Sequence, residues 1–201
     1  MRIQKILIIT LFLLSTLLYA NSESIIQNLL NRYTRINSFE ADLTQTNWFS
    51  DHDITLTSTG RIYIQGNTVV VEYIEPVYQF IKSEPNKSII YSRDQNTAII
   101  SSDDIHAVHL IFHFSNLLSK DINLISITKT NAIFSVDIPL DEMTDITLHI
   151  DIENNTIDKI QYEDDMNNTV LIEFTNQIFN RILSRDINEF VIPDGTTIIY
   201  N

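Results

Sequence analysis

The stretch from Gly60 to Ile100, GRIYIQGNTVVVEYIEPVYQFIKSEPNKSIIYSRDQNTAII, constrains the fold most. Apolar residues recur at every second position, and short turn signals interrupt them at Gly66-Asn67, Pro76, Pro85-Asn86 and Arg93 to Asn96. A period of two with such short gaps predicts antiparallel hairpins, because a parallel pair needs a crossover of a dozen or more residues. Several of these strands are apolar on both faces, as in Val69, Val70 and Val71. A chain with that pattern has to cover both sides of its sheet, or offer one side to something greasy.

The hairpin pattern continues on both sides of this stretch. Phe39, Ala41 and Leu43 alternate with Glu40, Asp42 and Thr44, and Ile54 to Ile64 resumes as strand, with Gly60 marking a bulge or a close approach of backbone. Further strands are predicted at 122–128, 132–138, 146–152 and 156–162, the last pair joined by an Asn154-Asn155 turn, and at 170–174 and 197–200. Residues 177–185 read as a short helical excursion. The fold class is therefore mainly β (α+β): about eleven strands in one large, curved antiparallel sheet, curling into an incomplete barrel.

Two helices break the pattern. Between Ser24 and Ile36 the residues Ile25, Ile26, Leu29, Leu30, Tyr33 and Ile36 form one apolar stripe, and Ser24 with Gln27 fits a capping box. In Asp103 to Lys120 the stripe is Ala107, Ile111, Phe114 and Leu118, with His106, His109 and His113 nearly opposite and bulky Ile105 and Phe112 on neither. A helix that buries one side and still shows apolar bulk on a flank suits a lid on the concave side of the sheet. The three histidines have a spacing that could ligate zinc from one helix face, but no carboxylate is placed to complete the shell. Read as a polar lid face, they would change lid docking when protonated at mildly acid pH.

Compartment follows from the first twenty residues, MRIQKILIITLFLLSTLLYA. Arg2 and Lys5 precede an unbroken apolar run from Ile6 to Leu14, and the segment ends in Leu18-Tyr19-Ala20. This is the pattern of a secretory signal peptide cleaved near Ala20, with an apolar run short of the roughly 20 residues a span needs. Residues 21–201 are then one exported domain. With no cysteine in the chain, neither disulfides nor lipidation at a new N-terminal cysteine enter the argument. Losing Arg2 and Lys5 lowers the 13 basic residues to 11 against 26 acidic ones, so the net charge falls from -13 to -15. Such a balance argues against nucleic acid and anionic headgroups as partners.

No motif brings catalytic chemistry. There is no G-x-S-x-G elbow, no cysteine nucleophile, no H-E-x-x-H and no phosphate loop, and the three glycines at 60, 66 and 195 lie too far apart for a nucleotide site. The pairs Asp103-Asp104 and Asp164-Asp165 are neighbours in sequence and cannot face each other across a substrate; Asp103 and Asp104 suit a helix cap. The reading is not an enzyme, with no catalytic residue, metal or cofactor. What remains is the apolar wall: Ile62, Ile64, Val69, Val71, Tyr73 and Phe80 on the sheet, facing Ala107, Ile111, Phe114 and Leu118 on the lid, as either a ligand cavity or an ordinary core.

Five short motifs, in order along nearly all of the mature chain, resemble the LolA-like proteins, the periplasmic carriers of outer-membrane lipoproteins. Ile36-Asn37-Ser38-Phe39-Glu40-Ala41-Asp42-Leu43-Thr44-Gln45 resembles that family's N-terminal S-F-x-A-x-F-x-Q strand. Gly60-Arg61-Ile62-Tyr63-Ile64 is similar to its glycine-led strand, and Val71-Glu72-Tyr73-Ile74-Glu75-Pro76 to its aromatic strand ending in proline. Asp164 to Thr169 with Phe174 is similar to its polar turn and following strand, and Phe190-Val191-Ile192-Pro193-Asp194-Gly195-Thr196 to its closing signature, with a polar residue at 196. The resemblance implies an incomplete barrel with a helical lid that shields acyl chains of lipoproteins. It also implies loading from an inner-membrane lipoprotein-releasing transporter and delivery to an outer-membrane receptor, by a monomer. Binding or sensing another amphiphile, such as a glycolipid, is the alternative, and a lipid-modifying enzyme comes below it. One departure is plain: where the family commonly has Arg-Pro after the glycine-led strand, this chain has Gln65-Gly66, so the arginine tied to release has no counterpart.

Overall fold

A computed structural model describes residues 23–103, 114–137 and 143–201. The predicted signal peptide, the lid positions Ala107 and Ile111, and the histidines at 106, 109 and 113 lie outside the described residues. Residues 23–33 form helix α1, whose Ile25, Leu29 and Tyr33 are buried as the stripe requires. The strands are β1 Ser38–Phe49, β2 Ile54–Gln65, β3 Thr68–Glu75, β4 Gln79–Glu84, β5 Lys87–Ser92 and β6 Thr97–Ser101. After helix α2, Phe114–Leu118, come β7 Asp121–Ile127, β8 Asn131–Asp137, β9 Met143–Asp151, β10 Thr156–Asp164, β11 Thr169–Phe179 and β12 Thr197–Tyr200.

All twelve strands join one sheet in the order β12-β6-β5-β4-β3-β2-β1-β11-β10-β9-β8-β7. Two meanders, β1 to β6 and β7 to β11, meet where β1 pairs with β11. The curved sheet stays open, with β12 and β7 at its two edges rather than paired into a barrel. Among the described residues the expected count of about eleven is twelve, and one pairing departs from the antiparallel rule: β12 returns parallel to β6, Thr197 beside Thr97. The long connection from β11 to β12 makes that parallel pairing possible.

The helical excursion expected at 177–185 is corrected. Strand β11 runs on to Phe179, because Phe39 pairs with Phe179 and Glu40 with Ile178 past a bulge in β11. Residues 180–185 are bends and irregular chain. Asn176 and Asn180 take positive φ values of 53° and 54°, a conformation that suits turns and interrupts a helix. The close approach expected at Gly60 is present: a Cβ there would lie 2.1 Å from the Glu72 carbonyl oxygen, at the register shift between β2 and β3.

The sheet has two apolar faces, covered by different parts of the chain. On one, α1 and α2 lie over Phe39, Ala41, Leu43, Ile62, Ile64, Val69 and Val71, continuous with buried residues of β8 to β11 such as Phe134, Leu148, Ile160 and Ile172. On the other, Tyr63, Val70, Phe80, Tyr91 and Ala98 pack with Ile187, Leu183, Phe190 and Ile192 of the segment between β11 and β12. That segment is a strap. It explains the two-faced hydrophobicity of β2 to β5, since each strand contributes alternate residues to opposite covers.

Candidate functional site

Register brings four of the six predicted wall residues into one block beneath the helices. Ile62 pairs with Val71 and Ile64 with Val69 across β2 and β3, and all four are buried. Tyr73 continues the same face, half-buried, and its hydroxyl donates to Gln45 Oε1 at 2.5 Å. Phe80 goes elsewhere. In β4 it is the neighbouring Ile81 that pairs with Val71 and packs with the helix-covered cluster, so alternation turns Phe80 to the strap, stacked on Phe190 at 3.7 Å between ring centroids and 10° between planes.

Of the lid positions within the described residues, Phe114 and Leu118 are buried on this face, and Leu117, absent from the predicted stripe, is buried completely. Phe114 is the hub of a ring cluster, 4.9 Å from Tyr33, 5.6 Å from Phe39 and 5.6 Å from Phe174. Phe39 in turn meets Phe179 at 5.1 Å. Phe174 and Phe179 are the site residues that sequence reasoning missed. The alternation Val170, Ile172, Phe174 was the available signal for the first, but the contribution of Phe179 depends on the longer β11.

Five residues of helix α2, Phe114–Leu118, are described. What fastens it is the apolar contact of Phe114, Leu117 and Leu118 with the sheet. Beside it a cavity of about 180 Å³ is lined by Tyr33, Ile36, Ile64, Gly66, Phe114 and Ser115, below the roughly 300–1,000 Å³ of ordinary ligand pockets. Among the described residues, side chains of the sheet, α1 and α2 pack together on the apolar face. Gly66 lines this cavity with φ +58° and donates its N–H to the Asn37 carbonyl.

Two tyrosines, Tyr73 and Tyr162, lie beside the apolar face. Burial raises Tyr73 well above the usual phenol value, with Tyr162 adding to it, and burial pushes Tyr162 up to about 12. Both therefore stay neutral and serve as a polar margin beside Gln45 and Asn47, whose side chains are joined at 3.0 Å. A larger cavity, about 680 Å³, adjoins the ring cluster through Phe174 and Phe179 and is otherwise lined by polar and charged residues, Arg32, Asp151, Asp158, Lys159, Glu173 and Gln177 among them. Among the described residues no group of histidine, aspartate and glutamate is placed to hold a metal.

A curated relative is similar to this chain: the outer-membrane lipoprotein carrier protein of Campylobacter jejuni, 24% identical over 164 residues, which span 81% of this chain and 86% of the relative. This similarity supports the resemblance to the LolA-like carriers. No family model matches it. Among solved structures, an uncharacterized conserved protein from Thermus thermophilus shares the fold, with a TM-score of 0.58 at 9% identity, over 90% of this chain and 99% of that one. A LolA superfamily protein from Nitrosomonas europaea is similar at a TM-score of 0.46 and 12% identity, over 80% and 94% of the two chains.

Proposed function

We propose that this LolA-like protein carries lipoproteins through the periplasm by taking their acyl chains onto the helix-covered face of the sheet, without covalent chemistry. The observation that carries the reading is α2 itself: a helix whose described residues Phe114, Leu117 and Leu118 pack on a buried apolar wall that runs from Val69 in β3 to Phe174 in β11. The similarity to the Campylobacter carrier agrees with it. Residues 1–20 serve as the export leader, an inner-membrane transporter loads the cargo, and an outer-membrane receptor accepts it.

Energetics favour a wall that exchanges one apolar cover for another. Three acyl chains of about 15 methylenes, at ~0.8 kcal/mol each, lose roughly 35 kcal/mol when exposed to water. A carrier has to offset most of this and still let go. Giving up the burial of Phe114, Leu117 and Leu118 costs about 1.5–3 kcal/mol per side chain, so opening the lid is small beside the gain from covering the chains. The wall supplies shielding without a single tight fit.

Substituting Phe114→Asp places a carboxylate among Tyr33, Phe39 and Phe174. We expect cargo lipoprotein to stay with inner-membrane spheroplasts, with roughly tenfold less in the soluble fraction than for the unsubstituted protein. Undiminished release by a folded Phe114→Asp protein would overturn the assignment of α2 as the lid.

A further inference from the structure

The hairpin of β1 and β2 extends past the rest of its sheet. On one side of β2, β1 is paired along the whole strand, down to Phe49 beside Ile54. On the other side β3 joins only from Thr59, which sits opposite Glu75. The chain then turns away through Pro76 into the bends at 76–77. Residues Ile54 to Ser58 are therefore left without a strand on that side among the described residues. Ile54, Thr55, Leu56 and Thr57 are all exposed, Leu56 at 52% and Ile54 at 47%.

Natural sheets blunt such edges with lysine, proline or a bulge. This one is not blunted. From Ile54 to Gly60 it reads ITLTSTG, uncharged and mostly β-branched, with Ile54 and Leu56 on the face that continues from Tyr73 and Gln45. The turns and strand end beside it carry carboxylates. Asp51 and Asp53 flank the turn, Glu75 closes β3, and Asp164 and Asp165 occupy the β10–β11 turn, which Ser50 Oγ joins by donating to the Asn167 carbonyl. No lysine or arginine lies between Arg35 and Arg61, between Arg61 and Lys82, or between Lys159 and Arg181.

We infer that Ile54–Ser58 is a docking edge, which takes an extended segment of another protein as an added strand. Backbone N–H and C=O groups supply the pairing, and Ile54 and Leu56 take alternate apolar side chains. The acidic rim selects a segment with lysine or arginine at its ends. A second copy of this chain fits poorly. Antiparallel pairing about Leu56 brings Asp53 of each copy toward Glu75 of the other, between chains of net charge -13. The inference does not depend on what the helix-covered face carries.

The test uses the intact protein and two synthetic peptides, each a run of alternating threonine and valine, one flanked by lysines and the other by glutamates. Backbone hydrogen exchange is followed residue by residue. The lysine-flanked peptide is expected to slow exchange of amides within 54–58 by roughly tenfold, and the glutamate-flanked one to leave them unchanged. Leu56→Lys, at a half-exposed position, should abolish the protection while far-ultraviolet circular dichroism stays native, and Thr57→Lys provides a second variant on the opposite face. Protection by neither peptide, or equally by both, would overturn the inference. So would protection that appears without peptide and rises with protein concentration, which would assign the edge to a second copy.

Discussion

Glu72 lies on β3 with Arg185 of the strap paired to one carboxylate oxygen and the Tyr78 hydroxyl donating to the other at 2.7 Å. Burial alone would raise its pKa, but the hydrogen bonds from Arg185 and Tyr78 and the charge of Arg185 outweigh this and hold it below 4.5. A carboxylate depressed in the fold adds stability above its unfolded value, and that stability is lost as pH falls through the folded one. We therefore expect wild-type protein to lose stability below pH 4.5 more steeply than Glu72→Gln, in urea midpoints measured along a pH series. Parallel slopes would show that the pair contributes nothing. Asp158 works in the opposite direction, its pKa raised chiefly by burial, so the difference between the two proteins, not the slope of either, carries the test. None of this was legible in the sequence: Arg185 is more than a hundred residues from Glu72, and nothing local marks them as partners. Phe80 was misplaced for a related reason. In Gln79-Phe80-Ile81 two adjacent residues are apolar, and only the pairing of Val71 with Ile81 decides which of them faces the helices.

Strand β11 and the strap show where local pattern gives way to tertiary contact. Gln177 to Arg185 has no strong period of its own. Pairing with Phe39 and Glu40 carries its first residues on as strand, and the Asn180 N–H then donates to the Ser38 carbonyl at 2.8 Å as the chain leaves. Glu40 holds the strap's next residues by accepting from the Ser184 N–H and hydroxyl. Strands flanked by Asn, Gly or Pro were readable from sequence to within a few residues, because their turns are encoded locally: Gly66 and Asn86 take positive φ where turns were expected. The strap was not readable, since Leu183, Ile187, Phe190 and Ile192 gain meaning only beneath Tyr63, Val70 and Phe80. Phe80→Ala removes a fully buried ring from that contact. It should lower unfolding free energy by about 3–4 kcal/mol in urea denaturation, and open 183–192 to limited proteolysis before the rest of the chain. A loss below about 1 kcal/mol would mean the strap is only loosely applied.

The two covers of the sheet differ in how they are fastened. The strap is held by a partly buried ion pair, side-chain hydrogen bonds and a stacked ring pair, whereas α2 is held by apolar side chains in contact with an apolar wall. On the proposed function, the strap keeps one face closed while the cover of the other is traded for apolar cargo. The mainly β architecture and the helix-covered wall at Ile62, Ile64, Val69 and Val71 were legible because period-two alternation states which residues share a face. That the wall is already filled by Phe114, Leu117, Phe174 and Phe179 could be learned only from the packing. Native mass spectrometry of the protein isolated from its own periplasm tests the central claim most directly. The account predicts a soluble complex of one protein with one acylated lipoprotein, lost in the Phe114→Asp variant. A protein that carries no acylated cargo, or carries a free lipid in place of a lipoprotein, would contradict it.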